Sequence, residues 1–159
     1  MTTVKIAIYQ WSGPQSAQII QPWVDITSSD SLDDIAATLR SFHAAPPNIT
    51  TAIGYAIEVG QSLLDAVPAC WRHTLDLSGD GPNNTGPRPQ DIPERDDITI
   101  NGLLILDGRN QELIPYWRTY VIRGPEAFME TASGFEDYEA AMRRKLEREL
   151  RALTLGWSQ

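Results

Sequence analysis

The sequence is poor in the residues from which many scaffolds and metal sites are built. It has one cysteine and two histidines among 159 residues. A single cysteine, Cys70, excludes an intrachain disulfide. The histidines and the cysteine also lack the spacing of a zinc site. No apolar run approaches the roughly 20 residues of a membrane-spanning helix. The sequence therefore favours neither a disulfide framework, a zinc domain nor a membrane span.

Basic residues are also scarce, with 13 Lys and Arg against 21 Asp and Glu, which gives a net charge of −8. This balance argues against a nucleic-acid partner and is compatible with a cation or a basic protein. No signal peptide is visible after Met1. We therefore expect a cytoplasmic protein, or an exported one if an upstream signal peptide is missing from the sequence.

What is present is an ordinary globular composition, with 42% hydrophobic and 21% charged residues. The length predicts a single domain over residues 1–159. Strands alternate with helices, and several strands are continuously apolar. This pattern predicts a three-layer α/β fold, in which a mostly parallel sheet has helices on both faces.

The chain order supports that fold class. Residues 4–11 and 17–24 are predicted to form an antiparallel hairpin, and residues 72–78 and 98–106 to form buried strands. Helices are predicted at 32–42, from Thr50 or Thr51 to about 67, at 113–121 and at 135–155, with a weak edge strand at 127–131. In the last helix, the predicted buried stripe consists of Phe135, Tyr138, Met142, Leu146, Leu150 and Leu153. Its charged residues, Lys145 and Glu149 among them, are predicted to be solvated.

The stretch at residues 72–84, RHTLDLSGDGPNN, is the first place to look for a site. An apolar strand runs there into an acidic turn, Gly79-Asp80-Gly81-Pro82. In open α/β sheets, ligands bind beyond the carboxyl ends of the strands. Gly, Asp, Pro and Asn are equally the usual residues of a tight turn, so both interpretations stay open.

Two segments resemble von Willebrand factor A domains. The run from Thr51 to Ile57, TAIGYAI, resembles their Thr-x-x-Gly-x-Ala-Leu segment, and Gly79-Asp80-Gly81 resembles their Thr-Asp-Gly turn. Segments 11–13, 50–57, 75–84, 98–106 and 135–146 are similar, in the same order, to an uncharacterised bacterial family of such domains. The resemblance implies an N-terminally truncated domain, because the first strand and its Asp-x-Ser-x-Ser motif have no match.

The same resemblance implies a partial metal-ion-dependent adhesion site for Mg²⁺ or another divalent cation. Thr51 matches its threonine and Asp80 its aspartate, and Asp107 and Ser12 are candidates for further ligands. Their structural alternatives are a helix N-cap for Thr51 and a turn residue for Asp80. The remaining candidate binding residues are Asp76, Ser78 and Asn83, and Asp76 is expected to be buried with a hydrogen-bonding role.

No nucleophile or acid–base constellation is visible, so we expect no catalytic residues and no enzyme. The leading hypothesis is a protein-interaction module with a degenerate metal site. One alternative is a metal-assisted hydrolase that uses Asp80, Asp107 and Asp76. Another is a truncated product that is stable only as a homo-oligomer. Loss of a central strand would leave unpaired strand edges, and these favour either a rearranged sheet or self-association, with a homodimer as the default.

Overall fold

A computed structural model describes residues 3–44, 49–67 and 70–155, with side chains described as far as Arg151. The described residues form a mixed α/β structure, which confirms the fold class at that level. Its elements are β1 (Val4–Trp11), β2 (Ala17–Ile26), α1 (Ser29–Ser41), α2 (Ile53–Asp65), β3 (His73–Gly79), β4 (Ile98–Ile105), α3 (Leu113–Tyr120), β5 (Met129–Ala132) and α4 (Tyr138–Leu155).

The chain divides into two compact units. The first, here called the hairpin unit, holds residues 1–70 and 83–88. The second, the parallel-sheet unit, holds residues 71–82 and 89–159. The strands form a two-stranded sheet, β1-β2, and a three-stranded sheet in the order β3-β4-β5. The single domain expected over the whole length stays a prediction.

In the hairpin unit, β1 and β2 pair antiparallel, with Val4 opposite Ile26 and Trp11 opposite Ala17. This confirms the predicted hairpin. Helix α2 buries Ile53, Ala56 and Ile57 completely, because apolar residues three and four positions apart lie on one helix face.

Helix α2 begins differently from the prediction. Its N-cap is Ala52, with no side-chain capping bond, so neither Thr50 nor Thr51 caps it. The side chain of Tyr9 contacts this helix through a hydrogen bond of 2.7 Å from its hydroxyl to the carbonyl oxygen of Ala56. Burial raises the pKa of Tyr9.

In the parallel-sheet unit, β3 pairs parallel with β4 and β4 pairs parallel with β5. The predicted parallel sheet is thus confirmed, at a size of three strands. All eight residues of β4 are buried, as predicted for a strand covered on both faces. Strand β3 lies at the sheet edge and alternates instead: Leu75 and Leu77 are buried, whereas Asp76 is exposed. The prediction that β3 is buried on both faces is therefore wrong.

Helices α3 and α4 pack on residues of β4. Trp117 of α3 is fully buried, and its ring lies 3.2 Å from where a side chain at Gly102 would begin. Ala141 of α4 belongs to a buried cluster with Leu103, Ile105 and Ala132. A side chain at Gly102 would also begin 2.6 Å from Cδ1 of Ile122, so the glycine makes room for both Ile122 and Trp117.

The predicted helix over residues 135–155 is confirmed from Tyr138 onward, after a 3-10 turn at Phe135–Asp137. Its predicted buried stripe is wrong at Phe135, Leu146 and Leu150, which are exposed, whereas Tyr138 and Met142 are half-buried and pack against the cluster around Ala141. The side chain of Leu153 lies outside the described residues. Leu146 and Leu150 are 46% and 54% exposed, and Lys145 is completely buried. The helix is rotated relative to the hydrophobic pattern, so that Ala141 and Lys145 face inward. Among the described residues, no helix is both long and apolar enough to cross a membrane.

Candidate functional site

The residues predicted as site residues belong to both units, and each group is described within its own unit. Ser12, Thr51 and Asn83 belong to the hairpin unit. Asp76, Ser78, Asp80 and Asp107 belong to the parallel-sheet unit.

In the hairpin unit, hydrogen bonds made by the backbone of Thr51 and Ala52 hold the segment around Thr51 in place. The Thr51 N–H donates to Oδ1 of Asn84 at 2.8 Å, and the Asn84 N–H donates to the Thr51 carbonyl oxygen at 2.9 Å. The next residue, Ala52, donates its N–H to the carbonyl oxygen of Ser12 at 2.8 Å. The Ser12 hydroxyl bonds to the hydroxyl of Ser16 at 3.2 Å. This unit therefore brings Ser12 and Thr51, two of the candidate ligands, into adjacent loops.

Asn83 secures the start of helix α2. Its Oδ1 accepts the N–H of Gly54 at 3.2 Å, one of the donors that a helix leaves unpaired in its first turn. Its Nδ2 donates to the carbonyl oxygen of Thr85 at 3.1 Å. A Cβ at Gly54 would lie 2.1 Å from the carbonyl oxygen of Pro87. The glycine is therefore required by the loop that Asn83 holds.

In the parallel-sheet unit, Asn110 connects the turns that follow β3 and β4. Its Oδ1 accepts the N–H of Asp107 at 3.0 Å, and its Nδ2 donates to the carbonyl oxygen of Asp80 at 3.4 Å. Oδ1 of Asp107 accepts the N–H groups of Arg109 and Asn110 at 2.8 and 3.1 Å. Asp107 thus closes its own turn, while the side chain of Asp80 is exposed.

Across the described part of the chain, no group of three or more His, Cys, Asp or Glu side chains is arranged to hold a metal ion. Hydroxyl ligands such as those of Thr51 and Ser12 fall outside that residue set. Binding of Mg²⁺ or another divalent cation stays a prediction.

In the parallel-sheet unit, a buried lysine contacts two carboxylates. Nζ of Lys145 lies 2.5 Å from Oδ1 of Asp76 and 2.6 Å from Oε1 of Glu149. The side chain of Lys145 is 1% exposed, that of Glu149 17% and that of Asp76 39%. The prediction that Asp76 is buried is therefore wrong, because Asp76 sits on an edge strand and meets the lysine at the rim.

Asn101 extends this contact into the sheet. Its Nδ2 donates to Oε1 of Glu149 at 2.9 Å, and its Oδ1 accepts the N–H of Phe128 at 3.0 Å. We call Asp76, Asn101, Lys145 and Glu149 the charge network. Burial raises the pKa of Glu149, repulsion from Asp76 raises it further, and the hydrogen bond from Lys145 opposes both effects.

Two further contacts border the charge network. The guanidinium of Arg148 lies 4.0 Å from the centre of the Phe128 ring, a cation–π distance. The hydroxyl of Tyr138 donates to Oγ of Ser78 at 3.4 Å, so that Ser78 faces helix α4.

Sequence reasoning missed Asn101, Lys145 and Glu149 as a group. One signal was available: Asn101 interrupts the apolar run ITINGLLI of β4, and a buried amide needs a partner. Another was the spacing of Lys145 and Glu149, four residues apart on one helix face. Neither signal identifies Asp76 as the fourth member, since its contact with Lys145 joins segments that are distant in the sequence.

Helix α4 carries a row of apolar side chains, Met142, Leu146 and Leu150, each one turn after the last. Leu146 and Leu150 are exposed on the outer face, whereas Met142 is half-buried and packs against the cluster of Leu103, Ile105, Ala132 and Ala141. We call this row the α4 ridge. Together with Tyr138 and the charged side chains of Glu139, Arg143 and Glu147, it lines a groove of about 450 Å³. The ridge thus forms the apolar part of the lining of this groove.

Comparison with known proteins gives one match. No curated protein and no solved structure matches the chain. A family profile with the description "Protein of unknown function (DUF1194)" matches residues 1–154. This agrees with the expectation of an uncharacterised family, and the relationship to von Willebrand factor A domains stays a prediction. The match covers nearly the whole chain, and the protein belongs to the DUF1194 family.

Proposed function

We propose that this protein is a non-enzymatic protein-binding module whose contact surface is the α4 ridge. The observation that carries the proposal is the exposure of Leu146 and Leu150, at 46% and 54%, on a regular helix whose inner face is buried. Scattered exposed leucines are normal on protein surfaces. Leu146 and Leu150 instead lie one turn apart and line one groove, and contiguous exposed apolar side chains are typical of an interaction site.

Two of the three carboxylates considered for hydrolysis, Asp76 and Asp107, support the non-enzymatic proposal, whereas the side chain of Asp80 is exposed. A general base must reach the proton that it removes. An oxygen of Asp76 is engaged by Lys145 at 2.5 Å, and an oxygen of Asp107 accepts two backbone N–H groups of its own turn. Both contacts are typical of side chains that stabilise a fold.

Site-specific photo-cross-linking in cells tests the binding proposal. A photoreactive amino acid replaces Leu146, and in a matched control it replaces Leu39, a leucine on α1 with similar exposure, 43% against 46%. We expect covalent adducts at position 146 and few at position 39. Equal yields at both positions, or none at position 146, would contradict the proposal.

We also propose a von Willebrand factor A-like, three-layer arrangement for the family. It is supported by the parallel order β3-β4-β5 and by an acidic turn after β3. The contacts of Gly102 with Trp117 and of Leu103 with Ala141 also support it, because successive strand residues point to opposite faces of a sheet. An experimental structure with helices on one face of the sheet only would overturn it.

A degenerate cation site remains part of the proposal on the basis of the sequence resemblance. Asp80 is the carboxylate that the resemblance assigns to it, and its side chain is exposed at the carboxyl end of β3. Calorimetric titration of Mg²⁺ and Mn²⁺ into wild type and Asp80→Ala tests it. Heat of binding that is lost in the variant supports a site at Asp80. No heat in either protein would remove both the metal site and the metal-assisted hydrolase, and would leave the binding module.

A further inference from the structure

We propose that the partner of the α4 ridge is a second copy of this chain, packed antiparallel through the same helix face. This inference rests on the proposed binding function and names its occupant. It makes the protein a two-fold symmetric dimer in which each α4 ridge covers the other.

The spacing of the α4 ridge suits packing against itself. Met142, Leu146 and Leu150 follow one another at intervals of four residues, and such rows form the ridges of the commonest helix–helix packing class. Two ridges of this kind interdigitate at a crossing angle of about −50°. The ridge side chains themselves line the groove of about 450 Å³, together with the charged side chains beside them. Because a two-fold contact joins the same patch of both copies, that patch must be complementary to itself.

The charges that flank the ridge are also complementary to themselves. Glu139, Arg143 and Glu147 follow the ridge on its solvent side and alternate negative, positive, negative. An antiparallel two-fold contact brings the same flank of both helices together in reverse order. Arg143 of each copy then faces Glu147 of the other. Within one chain Arg143 lies 3.3 Å from Glu139, and among the described residues no ion pair engages Glu147.

Sedimentation velocity over a dilution series of the purified full chain tests the dimer. We expect twice the mass of one chain at high concentration and dissociation on dilution. Leu146→Glu places like charges at the centre of the contact and should raise the dissociation constant at least tenfold. Leu39→Glu adds the same charge at a leucine of matched exposure on α1 and should leave the dissociation constant unchanged. Far-UV circular dichroism of both variants establishes that they fold.

Charge reversal tests the orientation of the two copies. Arg143→Glu and Glu147→Arg should each weaken the dimer, by roughly two- to tenfold for two exposed ion pairs. The double variant should recover most of the wild-type affinity, because the reversed charges pair again across the two-fold axis. A double variant weaker than either single variant would overturn the antiparallel contact.

The outcomes separate the dimer from the general binding proposal. A wild-type chain that is monomeric throughout, with cross-links from position 146 only to other proteins, overturns the dimer and leaves the binding module. A monomer without cross-links at position 146 overturns both. A dimer whose dissociation constant is insensitive to Leu146→Glu overturns the α4 contact.

Discussion

The two faces of helix α4 invert the usual arrangement of polar and apolar residues. The inner face buries Lys145 completely, and the outer face leaves Leu146 and Leu150 about half exposed. Charged side chains are rarely buried unless they are paired, whereas leucines usually are buried. In α4 the neighbouring residues Lys145 and Leu146 reverse this pattern, because the lysine is buried and the leucine is about half exposed.

The inversion has a different physical cause on each face. The inner face tolerates a charge because Asp76 and Glu149 both contact the ammonium group of Lys145, and Asn101 satisfies Glu149 in turn. On the outer face, Leu146 and Leu150 are not covered by other side chains of their own chain to the extent that Lys145 is. Their apolar surface therefore stays available for a partner. The comparison predicts large stability effects on the inner face and small ones on the outer face.

The largest expected effect comes from removing the buried cation. Lys145→Met leaves two carboxylates facing each other without their counter-charge. Loss of one partner from a fully buried ion pair costs about 3–5 kcal/mol. Asp76 is 39% exposed, so solvent screening places the expected loss at the lower end of that range or just below it. Denaturant unfolding of wild type and variant measures the change in the free energy of unfolding. The triple variant Asp76→Asn, Lys145→Met, Glu149→Gln removes the charges together and should recover part of the loss. A cost below about 1 kcal/mol for the single variant, as for an exposed pair, would show that the network is solvated.

The next effect concerns the amide that joins the charge network to the sheet. Asn101→Leu leaves the N–H of Phe128 without its acceptor and removes one of the two donors to Oε1 of Glu149, so that only Lys145 still donates there. An unsatisfied buried donor costs about 1–3 kcal/mol. Chemical denaturation again provides the measurement, with Ser78→Ala as the control. The hydroxyl of Ser78 makes a long, partly exposed contact of 3.4 Å to Tyr138, so its loss should cost clearly less. Equal losses in the two variants would argue against a special role for Asn101.

A smaller, pH-dependent effect follows from Glu149, whose pKa is raised above its ordinary value of 4.5 mainly by burial. A carboxyl with a raised pKa in the folded state favours folding most when it is protonated. Its contribution is fully present below pH 4.5 and is lost as the pH rises through the raised value. Wild type should therefore lose stability relative to Glu149→Gln as the pH increases over this window. Unfolding midpoints of both proteins across the window measure the difference, and a constant difference would contradict the burial of Glu149.

The sequence predicts the central strand β4 well because the burial of apolar side chains determines it. Strand β4 is apolar at most positions and is buried at all eight, and the segments that become β1, α2 and α3 follow similarly clear patterns. The turns after β3 and β4 could also be predicted, since Asp80 and Asp107 stand beside glycines at the carboxyl ends of strands.

The orientation of α4 could not be predicted in the same way. Its hydrophobic pattern alone places Leu146 and Leu150 inside and Lys145 outside. The structure reverses this because the position of Asp76, about 70 residues earlier in the chain, decides where the lysine finds a partner. A periodicity within one helix contains no information about a contact so distant in sequence.

The smallest expected effect lies on the outer face. Leu146→Gln removes an apolar side chain that is already 46% exposed, so the free energy of unfolding of the monomer should change by about 0.5 kcal/mol or less. The matched core variant Leu103→Ala, at a fully buried position, should cost about 2–5 kcal/mol. Both are measured by denaturation at a protein concentration where the chain is monomeric. A loss of 2 kcal/mol or more for Leu146→Gln, above the roughly 0.5 kcal/mol of ordinary surface changes, would mean that the α4 ridge packs inside its own chain. The ridge would then have no surface to offer a second copy.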